Sequence, residues 1–208
     1  MPVLDPDWTM CRPRAHPYRW LATAPGEVFP LATAQQLADA FPAGSFVRVD
    51  AGDRADGKRY RNFSRQLTGP DGVDDADLPP LWRTLLAELL ADDYRKQVAD
   101  LLDQPPAAAV ELRLVRHTRG DWLAPHTDRP DKLFSHIFYF NPGWPAEWGG
   151  CLQILGSHAP DDIVDQVVPT LGASALLARA DNSWHQVSPV AADPAPVRNS
   201  LLVHGLRQ

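Results

Sequence analysis

The stretch VELRLVRHTRGDWLAPHTDRPDKLFSHIFYF, residues 110–140, decides the fold because it holds two β-type runs joined by a turn. The two runs are Val110–His117 and Leu133–Phe140. Between them, Arg119-Gly120-Asp121 is typical of a turn. Six such strands within about a hundred residues predict an antiparallel sandwich or barrel. The other four are Cys151–Leu155, Ser174–Ala178, His185–Val190 and Val197–Leu206.

The upstream half has a different pattern, with helical periodicity and fewer strand signals. Residues 1–30 contain scattered prolines and are predicted to be irregular. A short amphipathic helix is predicted from Leu31 to Phe41, with Thr33 as its N-cap. The segment LWRTLLAELLADDYRKQVADLL, residues 81–102, predicts one long helix or two with a break near Asp92-Asp93. Two further strands are expected at Phe46–Asp50 and Tyr60–Leu67, joined by the polar loop 51–58.

These patterns predict an α+β fold that is mainly β, with N-terminal helices supporting a C-terminal barrel. No composition shift or flexible linker separates the two parts. We therefore expect a single domain over residues 1–208. Within it, residues 1–109 would form a helical and partly β support region, and residues 110–208 the β core that carries the site.

The composition is that of an ordinary globular protein, with 44% hydrophobic and 22% charged residues. A net charge of −6 gives no bulk attraction to phosphate backbones, so no nucleic-acid partner is expected. The N-terminal segment MPVLDPDWTMCRPRAHPYRW lacks the apolar core of a signal peptide, and no run approaches the roughly 18 apolar residues of a membrane span. We expect a cytoplasmic protein with no membrane partner, as a monomer or homodimer.

Three residues of metal-ligand type follow one another in a suggestive order: His126, Asp128 and His185. Residues two apart in an extended chain point to the same side, so His126 and Asp128 can reach one ion. Two imidazoles and one carboxylate suit a mononuclear non-heme Fe(II) site with open positions for a co-substrate and O2. Each residue also has an ordinary alternative, because His-x-Asp arises by chance in surface loops and a lone histidine is often only a satisfied polar residue. Their combination favours the metal site.

Arg198 follows the second histidine by thirteen residues and opens the last predicted strand. On that strand Arg198, Ser200, Leu202 and His204 share one face. A buried arginine with a serine two residues later is suited to clamp a carboxylate, since the guanidinium forms bidentate pairs. The alternative is a rim arginine that pairs with Asp193 or faces solvent. An arginine facing the barrel interior without a counter-ion would be costly, so an inward Arg198 predicts an anionic ligand.

The C-terminal hundred residues resemble the prolyl-4-hydroxylase-like branch of the Fe(II)/2-oxoglutarate-dependent dioxygenases. Members of that family have a double-stranded β-helix fold, a jelly-roll or cupin-like barrel. The similarity lies in the His-x-Asp of His126 and Asp128, the segment IFYFNPGWPAEWGGCLQIL at 137–155, the distal His185, and the Arg-x-Ser of Arg198 and Ser200.

The resemblance implies that His126, Asp128 and His185 hold Fe(II). It also implies a co-substrate site for 2-oxoglutarate, with O2 as the second co-substrate and ascorbate as an agent that supports activity. In that site Arg198 and Ser200 would bind the distal carboxylate, Tyr139 would donate its hydroxyl to the same group, and Leu152 would pack on the co-substrate. No catalytic residue is expected beyond these ligands.

The sequence departs from the family pattern at two places. Cys151 stands where the family often has an acidic residue, and we interpret it as a small packing residue. The family often has a tyrosine near the co-substrate on the early strand, where this chain has Arg116-His117. The contacts made by that strand are therefore open.

The function implied by the resemblance is hydroxylation of an unactivated C–H bond with release of succinate and CO2. Asp128 favours hydroxylation, because halogenating relatives replace this carboxylate with Gly or Ala. The short chain leaves little room for a protein-docking module, which favours a small molecule, an amino acid or a natural-product intermediate, free or carrier-bound. The alternatives are a peptidyl or protein hydroxylase of the same family, a cupin-like metal protein that does not use 2-oxoglutarate, and an inactive barrel that serves as a binding module.

Substrate contacts are expected among polar and aromatic side chains near the predicted rim. The candidates are Arg129, Trp184, Arg116 and Arg61. For each of them the alternative is a solvated surface side chain.

Overall fold

The computed structural model describes residues 2–6, 8, 11–52, 58–69, 72–191 and 196–207. This part of the chain contains three α-helices, α1 (Leu31–Asp39), α2 (Pro80–Leu90) and α3 (Asp92–Leu102). Its strands in the first half are β1 (Trp20–Thr23), β2 (Val47–Ala51), β3 (Tyr60–Gln66), β4 (Thr68–Gly69) and β5 (Gly72–Val73). Those in the second half are β6 (Ala109–His117), β7 (Trp122–His126), β8 (Lys132–Tyr139), β9 (Leu152–Leu155), β10 (Ile163–Val167), β11 (Ser174–Ala178), β12 (His185–Val187) and β13 (Arg198–Leu206).

Eleven of these strands form one antiparallel sheet that bends into a nearly closed barrel. The order is β1-β11-β8-β13-β6-β3-β7-β12-β9-β10, with β2 paired to β3, while β4 and β5 form a separate hairpin. Strand β3 connects the two halves of the barrel, because Tyr60 and Arg61 pair with β7 whereas Phe63–Gln66 pair with β6. The predicted fold, a mainly β barrel supported by helices, is confirmed.

The central strands β6, β8 and β13 lie between the helices and the barrel interior. Successive residues point alternately to the core beneath the helices and to the interior. In β8, Phe134 and Phe138 pack into the core beneath the helices. Ser135, Ile137 and Tyr139 point to the opposite side of the strand and line the barrel interior. In β6 and β13 the core residues are Leu112, Leu114, Leu201 and Val203, and the interior residues are Glu111, Arg113, Val115, His117, Arg198, Ser200, Leu202 and His204.

The helices cover the outer face of this sheet. Trp82, Leu85 and Leu89 of α2 and Val98 of α3 are fully buried in the same core. The predicted break is confirmed, since Ala91 adopts an extended conformation between α2 and α3. The predicted N-cap Thr33 is wrong. Helix α1 begins at Leu31 directly after Pro30, whose extended conformation starts the helix without a side-chain cap.

All six strands predicted in the second half are present within a few residues of their expected bounds. The structure adds β1, β7 and β10 to the large sheet, together with the small hairpin of β4 and β5. Strand β1 lies in the segment predicted to be irregular. It has only four residues and lies close to several prolines, so its sequence carries little strand signal. It pairs with β11 and buries Trp20. Of the predicted loop 51–58, residues 53–57 lie outside the described part. None of the helices described is both long and apolar enough to cross a membrane.

Candidate metal centre and anion pocket

His126, Asp128 and His185 meet at one point because their strands are neighbours. His126 is the last residue of β7 and is paired directly with His185, the first residue of β12. Asp128 follows β7 by two residues, which returns its side chain to the same side. All three are buried, and the ligand atoms that they offer lie within 4.8 Å of one another. This distance is short enough for the three atoms to share one metal ion.

The two imidazoles are oriented for coordination through Nε2. His126 Nδ1 lies 3.0 Å from the carbonyl of Ala124, and His185 Nδ1 lies 2.9 Å from that of Ser183. A carbonyl only accepts, so each Nδ1 donates its proton and each Nε2 carries a lone pair. Burial lowers the pKa of both rings, so both are neutral near pH 7. His126 Nε2 is buried and has no hydrogen-bond partner among the described residues, so its lone pair is available to a metal ion.

Asp128 is held by a closed ring of hydrogen bonds. Lys132 Nζ donates to Oδ1 at 2.7 Å, and Ser135 Oγ donates to Oδ2 at 2.6 Å. Because the serine proton is used there, His204 Nδ1 donates to Ser135 Oγ at 2.8 Å, and His204 Nε2 accepts from Lys132 at 3.4 Å. Burial alone would raise the pKa of Asp128, but Lys132 and neighbouring cations outweigh it and hold that pKa well below its usual range. The carboxylate is therefore ionised and fixed in orientation.

Replacing Ser135 with Ala is expected to weaken metal binding without changing the charge of the site. Partners that only orient a metal ligand are typically worth about 10- to 100-fold in affinity. We expect the Kd for Fe(II), measured by anaerobic calorimetry, to rise by about tenfold in Ser135→Ala. Ser200→Ala is the matched control, because its hydroxyl lines the same cavity but contacts Val115 and Arg198. Equal Kd values for wild type and Ser135→Ala would contradict the orienting role of Ser135.

Arg198 lies on the barrel wall opposite His117 in the β6–β13 register, and it is 2% exposed. Its Nη1 contacts His117 Nδ1 at 3.2 Å and Ser200 Oγ at 3.4 Å, and the guanidinium carbon lies 5.1 Å from the centre of the Tyr139 ring. Asp193, the alternative partner, is outside the described residues. No carboxylate of the described chain pairs with Arg198. Burial lowers its pKa from the usual range. A buried cation in this setting calls for an anionic ligand.

The surroundings of Arg198 fit a carboxylate. The Tyr139 hydroxyl and Arg198 Nε are buried and make no well-formed hydrogen bond in the described part, although the hydroxyl lies close enough to Arg198 to counteract in part the lowering of the guanidinium pKa by burial. Gly150, with φ of +66°, leaves open the space that a side chain would take, since an added Cβ would lie 2.9 Å from Arg198 Cδ. Leu152 is buried in the adjoining cavity wall. Ser200 lines the same cavity, where its hydroxyl accepts from Arg198 and donates to the carbonyl of Val115, and its role toward the co-substrate stays a prediction.

The three metal-ligand candidates and Arg198 line one cavity of about 260 Å³. The cavity wall on the side of Asp128 carries further charged side chains. Lys58 Nζ lies 3.8 Å from Asp128 Oδ1, and Glu111 Oε1 accepts from Arg113 at 3.2 Å. Arg129 also lines this wall and pairs with Asp131 outside it. The cavity therefore joins a metal-type site, a buried anion pocket and a charged chamber.

Of the four predicted substrate contacts, the structure brings only Arg129 to the cavity. Arg61 alternates with the inward residues of β3 and lies 3.2 Å from Asp50. Arg116 points to the outer face of β6, where it donates to the carbonyls of Pro42 and Ala43. Trp184 is outside the cavity wall, with its ring 6.0 Å from that of His158. Arg61 and Arg116 are each one position away from the inward-facing residues of their strands. Trp184 lies immediately before β12.

Several contacts within the cavity were not anticipated from the sequence. His117, Ser135, Lys132 and Lys58 contact Arg198 or Asp128. A signal existed for His117, because it shares the alternation of Arg113 and Val115 on β6. Ser135 shares a strand face with Tyr139 in the same way.

Residues 112–202 match the family model described as the 2OG-Fe(II) oxygenase superfamily. No curated protein matches the sequence. In fold, the chain is similar to a prolyl-4-hydroxylase of Pseudomonas putida, at 18% identity over 91% of this chain and 92% of that one, with a TM-score of 0.64.

Two further solved structures have similar folds. One is a prolyl hydroxylase of Trichoplax adhaerens in complex with a peptide fragment of the hypoxia-inducible factor oxygen degradation domain, at 14% identity over 90% of this chain and 83% of that one, with a TM-score of 0.63. The other is an oxidoreductase of the 2OG-Fe(II) oxygenase family from Burkholderia pseudomallei, at 20% identity over 91% and 85%, with a TM-score of 0.60. These likenesses confirm the predicted jelly-roll fold.

Proposed function

We propose that this protein is an oxygenase that uses Fe(II), 2-oxoglutarate and O2 to hydroxylate a C–H bond of a small molecule, because residues 112–202 match the model of the 2OG-Fe(II) oxygenase superfamily. The observation that carries the proposal is the pairing of two features in one cavity. A buried His-Asp-His set that suits a metal ion lies beside a buried arginine without a carboxylate partner in the described chain. A cupin-like protein that did not use 2-oxoglutarate would have no use for that arginine.

Each residue has a defined task in this proposal. His126, Asp128 and His185 would hold Fe(II), and Arg198 with Tyr139 would bind the distal carboxylate of 2-oxoglutarate, with Leu152 packed against the co-substrate. When bound, the metal and co-substrate supply the oxidation, in which 2-oxoglutarate and O2 yield succinate and CO2 and one oxygen atom enters the substrate. The chain itself orients the ligands and encloses them in a largely buried cavity.

The charge of the cavity supports a small substrate with an acidic group. Four cations face the chamber, and two of them, Lys58 and Lys132, share Asp128 as a carboxylate partner. A metal ion on Asp128 would take up the charge of that carboxylate, and Glu111 would then be the acidic side chain of the described cavity wall left to offset Lys132, Arg113 and Arg129. Free amino acids and other organic acids carry the complementary charge. An amide-linked residue inside a peptide does not.

A peptide substrate is the second candidate, because the Trichoplax adhaerens enzyme of similar fold binds a peptide fragment. The two candidates differ in the charge that they bring next to the substrate carbon. A free acid would bring a carboxylate into the chamber, whereas a peptide would bring neutral amides and depend on contacts outside it.

Succinate release provides the test. We expect the iron-loaded protein to release succinate slowly from 2-oxoglutarate alone, and several-fold faster with a free amino acid or organic acid. The corresponding primary amides are the matched controls, because they differ only in charge, and they should stimulate much less. Stimulation by peptides and amides, but not by free acids, would favour the second candidate. A complete absence of succinate would refute the oxygenase proposal itself.

A further inference from the structure

The two sides of the Arg198 guanidinium have different surroundings. Nη1 is engaged twice, by His117 Nδ1 at 3.2 Å and by Ser200 Oγ at 3.4 Å. Nε has no hydrogen-bond partner, and no bond to Nη2 is found in the described part of the chain. The Nε–Nη2 edge is thus the side left for a ligand. Two parallel N–H groups on one edge match the two oxygens of a carboxylate.

The contact with His117 has a fixed direction. Arginine can only donate, so His117 Nδ1 must accept, and the neutral ring carries its proton on Nε2. His117 is 3% exposed, and burial together with the charge of Arg198 lowers its pKa well below the usual range. The imidazole therefore stays neutral and keeps its acceptor toward Arg198.

Ser200 cannot replace this contact. Its bond to Nη1 is long, and its own proton is directed to the carbonyl of Val115, also at 3.4 Å. The ring of Tyr139 supports the guanidinium from one face, but a ring face does not choose which edge of the fork points to the ligand. Of the two contacts that Nη1 makes, the one with His117 Nδ1 is shorter than the one with Ser200 Oγ.

We propose that His117 is a positioning residue for the co-substrate. By accepting from Nη1 it rotates the Arg198 fork so that the Nε–Nη2 edge faces the distal carboxylate of 2-oxoglutarate. This inference rests on the proposed function, in which Arg198 binds that carboxylate. It gives a role to the strand that carries a histidine where related proteins often have a tyrosine, and it makes His117 a determinant of selectivity for dicarboxylates.

The test compares two 2-oxo acids in three variants. 2-Oxoglutarate has a distal carboxylate, whereas 2-oxopentanoate has the same chain length without it, and both chelate through the 2-oxo acid group. Dissociation constants are measured anaerobically on the Fe(II)-loaded protein from the visible charge-transfer absorption of the chelate. His117→Leu and His117→Phe remove the acceptor. His117→Asn keeps one, because its Oδ1 occupies the position of the imidazole Nδ1.

We expect His117→Leu and His117→Phe to weaken 2-oxoglutarate binding at least tenfold and to leave 2-oxopentanoate binding within about twofold, since one charge-assisted bond orients the fork. His117→Asn should restore most of the preference. Unchanged 2-oxoglutarate binding in both acceptor-free variants, or an equal loss for both acids, would overturn the proposal. If neither acceptor-free variant folds, a dicarboxylate preference in His117→Asn as low as that of Arg198→Ala would overturn it instead. Failure of the wild-type protein to bind 2-oxoglutarate would refute the proposed function, which is a distinct result.

Discussion

Arg198→Ala is expected to lose nearly all affinity for 2-oxoglutarate while the fold remains intact. The replacement removes two charge-assisted hydrogen bonds to the distal carboxylate, worth about 1.5–3 kcal/mol each. A combined loss of about 3–6 kcal/mol corresponds to a Kd that is roughly 100- to 10,000-fold higher. Anaerobic titration of the Fe(II)-loaded protein, followed by the charge-transfer absorption of the chelate, measures this directly. Removing a buried cation that has no carboxylate partner in the described chain should not lower the unfolding temperature by more than a few degrees.

Arg116→Ala is the matched control for this prediction. Arg116 lies on the same sheet, one residue from His117, but its guanidinium donates to the carbonyls of Pro42 and Ala43 on the outer face. Its removal should leave the 2-oxoglutarate Kd within about twofold. A normal Kd in Arg198→Ala, or an equal loss in both variants, would show that Arg198 does not bind the co-substrate.

His185→Ala is expected to abolish metal-dependent turnover without unfolding the protein. One of three metal ligands is lost, so the Fe(II) Kd should rise by more than the roughly 100-fold that loss of an orienting partner alone can cause. His185 sits at the start of a three-residue strand, and its ring contacts His126 at the cavity rather than the hydrophobic core. Circular dichroism should therefore match that of the wild-type protein. Calorimetry with Fe(II) and the succinate assay measure the loss.

His158→Ala is the control for histidine replacement, because His158 is exposed and lies outside the cavity wall. It should keep wild-type metal affinity and activity. Wholesale unfolding of His185→Ala would indicate that His185 has a structural role. Retained turnover in that variant would remove it from the metal site.

Much of the fold and the site follows from local patterns. Strand β6 alternates between apolar and charged residues, and β8, β11 and β13 are short runs bounded by turn residues, so their existence and approximate bounds are readable. The two-residue spacing of His126 and Asp128 places them on one side of an extended chain, and Arg198 faces inward because it shares alternation with Leu202. The short strand β1 was missed because four residues between prolines carry too little periodicity.

The remaining contacts depend on register between distant strands. His117 and Arg198 are 81 positions apart and meet because β6 and β13 pair with one offset rather than another. Ser135 and His204 meet for the same reason across β8 and β13. A shift by one residue would turn each side chain to the opposite face. The choice of Arg116 over His117 as a substrate contact reflects this dependence.

The single-domain organisation, the cytoplasmic location and the oligomeric state stay predictions. The metal, co-substrate and substrate roles of individual residues are proposals that the experiments above decide. The predicted family and its dependence on Fe(II) and 2-oxoglutarate agree with the match over residues 112–202.

The direct pairing of His126 with His185 has a consequence for the durability of the protein. Strands β7 and β12 share only two register pairs with an irregularity between them, so backbone bonds hold this seam weakly. An ion bound by both histidines would stabilise the pairing of β7 with β12, because the ion binds the closed barrel and not the opened chain. Without the ion this pairing would open more readily, so the metal-free protein should be degraded faster than the metal-bound one.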